Sequence, residues 1–432
     1  AGRPSAAAMS ASAAPPAAAA ASAPHNPESD VRPELRAMSA YVPILPYDVL
    51  AAKLGFAVAD LVKLDANENP YGPSAAARDA VARLVPEASW NVYPDPESRE
   101  LREKIAAYAG VEDMGRIVVG AGADELIDLV MRLVLSPGDA VVSAPPTFGM
   151  YKFDADVNGA EVIAVPRLPH SFAVDVDAIE AEFSSRAASN RPRPKAIFLA
   201  SPNNPDGSAL PHADFSRLLA LPALLVLDEA YHEFAPDLHT GTPVAAALAD
   251  PAAFPNLVVL RTFSKWAGLA GLRVGYGVFP PGLATQLMKI KQPYNVSVIA
   301  QAAACASLSQ PRPLLDNVAA MVAQRELFFA TMAADLAVQD GAPRRFPAIA
   351  VAYPSHSNFV LCRLGGGFAA AAVRDRLMYR HGVLIRHYNQ PLLEDCIRVS
   401  MGTPAQMGRF YAALEAVCAE GAEAVNAAAG AK

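Results

Sequence analysis

Short apolar segments alternate with longer helical segments from Leu61 to about residue 296, and this alternation limits the possible folds most strongly. Each apolar segment ends at Gly, Pro or a polar residue, as expected for strands that are buried on both faces. The segments are RIVVGAG, DAVVSAPP, EVIAVP, KAIFLASP, ALLVLDEAY and NLVVLRTFSK. Helical segments such as SRELREKIAAYA and DELIDLVMRLVL lie between strands. The pattern predicts an α/β fold with a mostly parallel sheet sandwiched by helices.

The rest of the chain predicts a second, smaller α+β domain. Two helical segments at 297–340 are followed by strand segments SNFVLCRL, VLIRHY and CIRVSMG, which are mixed with further helices. At 432 residues the chain is long enough for two domains. The predicted divisions are a tail at 1–37, an arm at 38–71 that joins the small domain, a large domain at 72–296, a small domain at 297–425 and a tail at 426–432.

Composition excludes several classes of function. The formal net charge is −7 and Lys and Arg form no runs, so we expect no nucleic-acid partner. No apolar stretch reaches about 18 residues, so no membrane-spanning helix is expected. The four cysteines form no C-x-x-C pair and the histidines no H-x-x-x-H pair, so neither a disulfide framework nor a metal site is predicted.

The first 35 or so residues differ in composition from everything that follows. They are rich in Ala, Ser and Pro and contain almost no large apolar side chains, which predicts disorder. A Ser/Ala-rich, acid-poor start is also typical of the remnant of an organelle transit peptide, and it suggests a plastid location. Alanine-rich padding of a cytoplasmic protein remains the alternative.

Four polar clusters follow predicted strands, at the positions where open α/β sheets bind ligands. The first, Gly120 to Glu125, opens a helix whose N-terminal N–H groups suit an anion. The second, Ser201 to Gly207, holds two adjacent amides between prolines. Taken alone, an ordinary tight turn explains each of these two clusters better than a binding site does.

The third and fourth clusters carry ionisable groups. Asp228 directly follows an apolar strand, so its carboxylate needs either a cation or a role as a helix cap. Lys265 lies among hydroxyl, Gly and apolar residues, where burial lowers the pKa of a lysine and makes it a nucleophile toward carbonyls. Arg273, eight residues later, provides a fixed partner for an anion.

Together the four clusters predict a site for pyridoxal 5′-phosphate (PLP). This cofactor needs a lysine for covalent attachment as an imine and an acid for its ring nitrogen. It also needs donors for its phenolate oxygen and a cradle of N–H groups, hydroxyls and an arginine for its phosphate. All of these groups follow strands of the predicted sheet.

The same residues resemble the fold-type I PLP aminotransferases and, among them, the plant-type branch of the histidinol-phosphate aminotransferase family. The resemblance extends from LPYDVL near residue 45 to IRVSMG near residue 402. It is carried by DANENPYGPS, YPDPES, GAGADELIDL, PPTFGMY, SPNNPDG, DEAYHEF, RTFSKWAGLAGLRVGYG and KQPYNVS. It implies a homodimer with shared active sites that transfers an amino group between histidinol phosphate and 2-oxoglutarate in histidine biosynthesis.

The resemblance implies specific roles around the cofactor. Lys265 would bind the cofactor and move the proton, and Asp228 would pair with the ring nitrogen. Asn204 and Tyr231 would bond the phenolate oxygen. The phosphate would be held by Ala123, Asp124, Thr262, Ser264 and Arg273. Phe148 would stack on the ring, at a position where the family often has Tyr.

The resemblance also assigns substrate contacts. Arg398 would bind the α-carboxylate of an amino acid, and Arg386 would bind phosphate or carboxylate. Tyr47, Tyr93 and Asn204 would assist, with Tyr93 reaching the site of the neighbouring subunit. Apart from the resemblance, Arg386 is better explained as an arginine at a strand edge. The alternatives are a broader aromatic aminotransferase, a threonine-phosphate decarboxylase and, more remotely, a PLP-binding regulator without turnover.

Overall fold

A computed structural model of the chain describes residues 2, 25–38, 46–87, 90–235, 244, 248–250, 252–338 and 342–427. Residues 1–40 and 41–432 form two compact units. In the first unit, a 3-10 helix spans Pro27–Asp30 and helix α1 spans Pro33–Ala37. Most of the segment for which we predict disorder and a transit peptide, residues 1–37, lies outside the described residues.

The second unit contains the remaining helices and all described strands. The helices are α2 Tyr47–Leu54, α3 Ala75–Glu87, α4 Arg99–Ala109, α5 Ala123–Val134, α6 Met150–Val157, α7 Val176–Ala188, α8 His212–Leu219, α9 Pro281–Ile290, α10 Val298–Ser309, α11 Arg312–Leu336, α12 Ala370–His381, α13 Pro404–Glu420 and α14 Ala422–Ala427. The strands are β1 Val62–Leu64, β2 Ile117–Gly120, β3 Ala140–Ser143, β4 Glu161–Ala164, β5 Ala196–Ala200, β6 Leu224–Asp228, β7 Leu257–Thr262, β8 Gly275–Val278, β9 Ile349–Ala352, β10 Phe359–Leu364, β11 Val383–His387 and β12 Cys396–Ser400.

A seven-stranded sheet, in the order β2-β8-β7-β6-β5-β3-β4, forms the larger part of this unit. Strands β4, β3, β5, β6 and β7 run parallel, and only β8 is antiparallel to its neighbours β7 and β2. All six predicted strands are present in it, so the mostly parallel sheet is confirmed. The strand β8 was not predicted, because its sequence GYGV has two glycines, which strands seldom favour.

Helices cover both faces of the large sheet. Along β6, Leu225 and Leu227 pack into one apolar core, whereas Val226 packs into the other. Helices α5, α6 and α9 contribute to the core on the Val226 side, and α4, α7 and α10 to the core on the Leu225 side. This alternation explains the continuous apolar runs of the inner strands, since both of their faces are out of water, whereas the edge strand β4 is partly exposed.

A second sheet of five strands has the order β1-β11-β12-β10-β9. It is antiparallel except for β1, which pairs in parallel with β11 through Val62 and Val383. Helices α12 and α13 pack on it, and α14 packs against these two helices. The α+β composition of this part agrees with the predicted fold class, while the proposed division at residues 72 and 297 stays a prediction. Within the described part of the chain, no helix is both long and apolar enough to cross a membrane.

The loop after β7 depends on a glycine that no other residue can replace without strain. Gly268 has a φ of +69°, and a Cβ there would lie 2.5 Å from the backbone carbonyl group of Gly72. We expect Gly268→Ala to lower the free energy of unfolding by about 2 kcal/mol or more, because backbone atoms cannot move aside as a flexible side chain can. Denaturant unfolding of the purified protein measures this change.

Gly271 provides the matched control, because it lies in the same loop, has no positive φ, and a Cβ added there would meet no atom within 4 Å. Gly271→Ala should change the free energy of unfolding by less than about 0.5 kcal/mol. Equal losses in the two variants would contradict the close approach of Gly268 to Gly72.

Candidate active site

A cavity of about 500 Å³ opens at the carboxyl ends of the parallel strands. Twelve of the fourteen residues predicted for the site line it. They are Ala123, Asp124, Phe148, Asn204, Asp228, Tyr231, Thr262, Ser264, Lys265, Arg273, Arg386 and Arg398. The four polar clusters that the sequence separates by up to about 150 residues therefore meet in one place.

Lys265 follows β7 and is held between the cavity and the core. Its Nζ donates to the backbone oxygen of Ala66 at 3.2 Å and lies 6.0 Å from the centre of the Tyr231 ring. Within the described part of the chain, no carboxylate lies within ion-pair distance of it. Burial, and after it the positive charge of Arg398, lowers the pKa of Lys265 to about 8. Lys265 is therefore a lysine that reaches its neutral, nucleophilic form near neutral pH.

Asp228 is the last residue of β6 and is only 6% exposed. One carboxylate oxygen accepts a hydrogen bond from the hydroxyl of Tyr151 at 2.8 Å, and the other accepts one from the backbone N–H of Ala230 at 3.0 Å. Burial raises the pKa of Asp228 to about 6, although both hydrogen bonds lower it. No Lys or Arg among the described residues pairs with it, so the carboxylate can accept a cation from the cavity.

The N-terminus of α5 forms a cradle with the loop after β7. Arg273 pairs with the carboxylate of Asp124 at 2.7 Å, and the hydroxyls of Thr262 and Ser264 lie 2.9 Å apart. Gly122 begins the helix with a φ of +84°, and a Cβ there would lie 2.5 Å from the Arg273 guanidinium. Free N–H groups, two hydroxyls and a guanidinium are the donors that proteins use to bind a phosphate.

Two arginines of the smaller sheet line the opposite side of the cavity. Arg398, on β12, is buried and donates to the side-chain oxygen of Asn204 and to the backbone oxygen of Asp65, both at 2.6 Å. Arg386, on β11, is half-buried, and its guanidinium lies 5.7 Å from the centre of the Tyr388 ring. These side chains can bind the anionic groups of a substrate.

Tyr47 and Tyr93 do not line the cavity. The hydroxyl of Tyr47 donates to the backbone oxygen of Leu61 at 2.9 Å, and its ring packs beside a small apolar cluster. Tyr93 is 76% exposed and stacks on Tyr294 with ring centres 4.5 Å apart. Neither tyrosine is among the residues that line the cavity of one chain, and the substrate contacts assigned to them stay predictions.

Three further residues belong to the site but were not predicted. Asn67 donates to the Tyr231 hydroxyl at 3.0 Å, Tyr151 binds Asp228, and Tyr388 lies beside both arginines. Asn67 and Tyr151 lie within the motifs DANENPYGPS and PPTFGMY, so the motifs themselves were the available signal. Tyr388 follows Arg386 by two residues, and alternation along an extended chain places both side chains on one face.

Comparison with known proteins assigns the family. Residues 59–414 match the family model described as aminotransferase class I and II. The chain belongs to the class I and II aminotransferases. A histidinol-phosphate aminotransferase of Roseiflexus castenholzii is 48% identical over 87% of this chain and 95% of the relative. The chloroplastic histidinol-phosphate aminotransferase 1 of Arabidopsis thaliana is 47% identical over 87% of this chain and 83% of the relative.

Solved aminotransferase structures share the fold. The histidinol-phosphate aminotransferase of Sinorhizobium meliloti, solved in complex with PLP, superposes with a TM-score of 0.72 at 28% identity, over 91% of this chain and 97% of that chain. Identities of 48% and 47% with the Roseiflexus and Arabidopsis relatives show that the chain belongs to the histidinol-phosphate aminotransferase family, which confirms the predicted family. Among the residues described, no cluster of His, Cys, Asp and Glu suits a metal ion.

The environment of Lys265 predicts a pH dependence for covalent attachment of PLP to the apoprotein. A neutral amine is required, so the attachment rate should rise with pH up to about 8 and then level off, whereas an ordinary lysine would continue to about 10.4. Stopped-flow absorbance of the bound cofactor measures the rate. Lys265→Ala should remove this phase, and the exposed Lys289→Ala should leave it unchanged. A rate that still rises steeply at about pH 10 would contradict the lowered pKa.

Proposed function

We propose that this chain is a PLP-dependent aminotransferase that interconverts histidinol phosphate and 2-oxoglutarate with imidazole-acetol phosphate and glutamate. The observation that carries the proposal is the convergence of Lys265, Asp228 and the α5 cradle on one cavity. The names of relatives at 47–48% identity support the choice of substrate.

The residues present fit PLP. The cradle leaves no room for a side chain at Gly122 or at Gly275, where a Cβ would lie 2.6 Å from the backbone nitrogen of Ala123. The two glycines therefore let the Arg273 guanidinium and the N-terminus of α5 come together where they would hold a phosphate. The buried carboxylate of Asp228 suits a protonated ring nitrogen, and Phe148 offers an aromatic face beside it.

Each residue then has a distinct task. When bound, PLP supplies an aldehyde carbon for covalent bonding and a ring that withdraws electrons from the reacting carbon. Asp228 would keep the ring nitrogen protonated, because its carboxylate is buried in a low-dielectric site that lines the cavity. Lys265, as a neutral amine, would move a proton to and from the substrate carbon that carries the amino group. Tyr231 lines the cavity and its hydroxyl accepts a hydrogen bond from Asn67, so the hydroxyl proton is left to bond the phenolate oxygen.

The two arginines explain how one cavity accepts two different amino donors. Glutamate has two carboxylates, whereas histidinol phosphate has one phosphate and no α-carboxylate. Arg398 engages the α-carboxylate of glutamate, and Arg386 binds the distal carboxylate or the phosphate. The planar guanidinium suits either anion because it offers paired N–H donors.

We also propose that the enzyme works as a homodimer in which Tyr93 completes the partner's site. The exposed patch around Tyr93 supports this, because Trp90 is 57% exposed, Val92 is 59% exposed and Tyr294 is 40% exposed. Exposed apolar clusters of this kind are typical of protein interfaces. A plastid location is proposed from the chloroplastic plant relatives and from the Ser/Ala-rich start of the chain.

Arg386→Ala tests the substrate assignment. The variant should raise the free energy of the transition state for histidinol phosphate by about 2–4 kcal/mol, because a charge-assisted contact in a partly closed site is lost. A donor with a neutral aromatic side chain, such as phenylalanine, should lose much less, because its one anionic group is the α-carboxylate assigned to Arg398. The values of kcat/KM for both donors, in wild type and variant, measure the difference.

An arginine outside the cavity serves as the control. Arg380, on α12, is exposed, and Arg380→Ala should leave kcat/KM for both donors unchanged. Equal losses for both donors in Arg386→Ala would contradict the phosphate role and favour a broad aromatic aminotransferase. Release of CO₂ from threonine phosphate, without amino transfer, would instead favour the decarboxylase.

A further inference from the structure

A buried tyrosine lies directly behind Asp228. Tyr151 is the second residue of α6 and is only 1% exposed. Its ring packs edge-on against Phe148 and tilted against Phe198, with centres 5.7 and 5.8 Å apart. Tyr151 does not line the cavity, whereas Asp228 does. The Tyr151 hydroxyl can therefore affect a bound group only through Asp228, whereas the Tyr151 ring also packs against Phe148, which lines the cavity.

The hydrogen bonds of Asp228 fix the plane of its carboxylate. Tyr151 donates to Oδ2 at 2.8 Å and the N–H of Ala230 donates to Oδ1 at 3.0 Å. With one donor on each oxygen, rotation about the Cβ–Cγ bond would break two hydrogen bonds in a buried site, where neither is replaced by water. The remaining lone pairs are then held in one direction.

The chemistry of the donor matters as much as its position. A Lys or Arg in place of Tyr151 would neutralise Asp228 and compete with a cation in the cavity. A phenol donates a hydrogen bond but has no charge. Burial and the negative charge of Asp228 raise the pKa of Tyr151 well above its ordinary value, so the hydroxyl stays protonated.

We propose that Tyr151 is a positioning residue, whose hydroxyl orients the Asp228 carboxylate and keeps it ionised for the ring nitrogen of PLP. The inference rests on the proposed function only in requiring that PLP occupies the cavity; it does not depend on which amino donor is used. Tyr151 acts on a residue that touches the cofactor and so should influence PLP binding before any substrate is present.

Other charged groups also face this pair. Asp124 and Glu229 raise the pKa of Asp228, and Arg167 lowers that of Tyr151. One terminal nitrogen of Arg167 is buried without a hydrogen-bond partner among the described residues. These groups are unchanged by Tyr151→Phe, which removes one oxygen and keeps the packed ring.

A double-mutant cycle tests the proposal. The dissociation constant of PLP is measured by absorbance titration of the apoprotein for wild type, Tyr151→Phe, Asp228→Asn and the double variant. Tyr151→Phe should raise the dissociation constant by about tenfold, as expected for losing one hydrogen bond to a buried charge. In the Asp228→Asn background the same change should alter it by less than about twofold, because the carboxylate is already absent.

Tyr276→Phe is the matched control. Tyr276 lies on β8, is 1% exposed and does not contact Asp228, so losing its hydroxyl should leave PLP affinity unchanged. The proposal would be overturned if Tyr151→Phe raised the dissociation constant of PLP equally in the wild-type and Asp228→Asn backgrounds, or changed it in neither. Strong PLP binding with the expected coupling but no turnover of histidinol phosphate would overturn only the proposed substrate.

The pH dependence gives a second measurement. Protonation of Asp228, with its pKa of about 6, should weaken PLP binding at acidic pH. Tyr151 stabilises the charged form, so Tyr151→Phe should move this loss to higher pH. If the pH at which half of the PLP affinity is lost were the same in wild type and variant, the proposal would be overturned. If Tyr151→Phe does not fold, infrared spectroscopy of the wild-type apoprotein at a series of pH values measures the protonation of Asp228 instead. The Asp228→Asn variant identifies the carboxyl band of Asp228. A protonated Asp228 at neutral pH would then overturn the proposal.

Discussion

The parallel register of β5, β6 and β7 is the constraint on which the site depends. Ala200 lies opposite Asp228, and Asp228 lies opposite Leu260. Three consecutive strands thus end at nearly the same level, and the polar residues that follow them leave the sheet together. Because each strand is apolar on both faces up to that level, the cavity has a floor that excludes water. The apolar strands themselves therefore lower the dielectric constant around the polar groups at this level of the sheet.

Desolvation then acts in opposite directions on the two central ionisable groups. It lowers the pKa of Lys265 to about 8 and raises that of Asp228 to about 6, because both shifts favour the neutral form. A direct ion pair between the two would have opposed both shifts. Their separation therefore keeps the amine reactive and the carboxylate free, and this combination suits a cofactor that needs a nucleophile at one end and an anion at the other.

The sequence was sufficient to predict the features that depend on local patterns of apolar and polar residues. All six predicted strands of the large sheet, and twelve site residues, lie where strand ends and motifs place them. Contacts between distant segments could not be derived in this way. The Tyr151 hydroxyl meets a carboxylate 77 residues away, and Asn67 meets Tyr231 across 164 residues. No sequence pattern signals either pairing, because the first depends on how α6 packs on the folded sheet and the second on how the segment after β1 does. Tyr93 shows a related limit: it is largely exposed in one chain, and a role in a neighbouring site requires a second copy.

The opposition of Arg386 and Arg398 shows how the fold favours anionic substrates. These residues are direct partners across β11 and β12, and like charges in that arrangement destabilise a sheet. Arg398 is stabilised by Asn204 and by a backbone oxygen, and both guanidinium groups lie 5.7 Å from the Tyr388 ring, whose face attracts cations. Neither arginine forms an ion pair with a carboxylate of the described residues. An anion that enters the cavity relieves this repulsion, which favours substrates that carry a carboxylate or a phosphate.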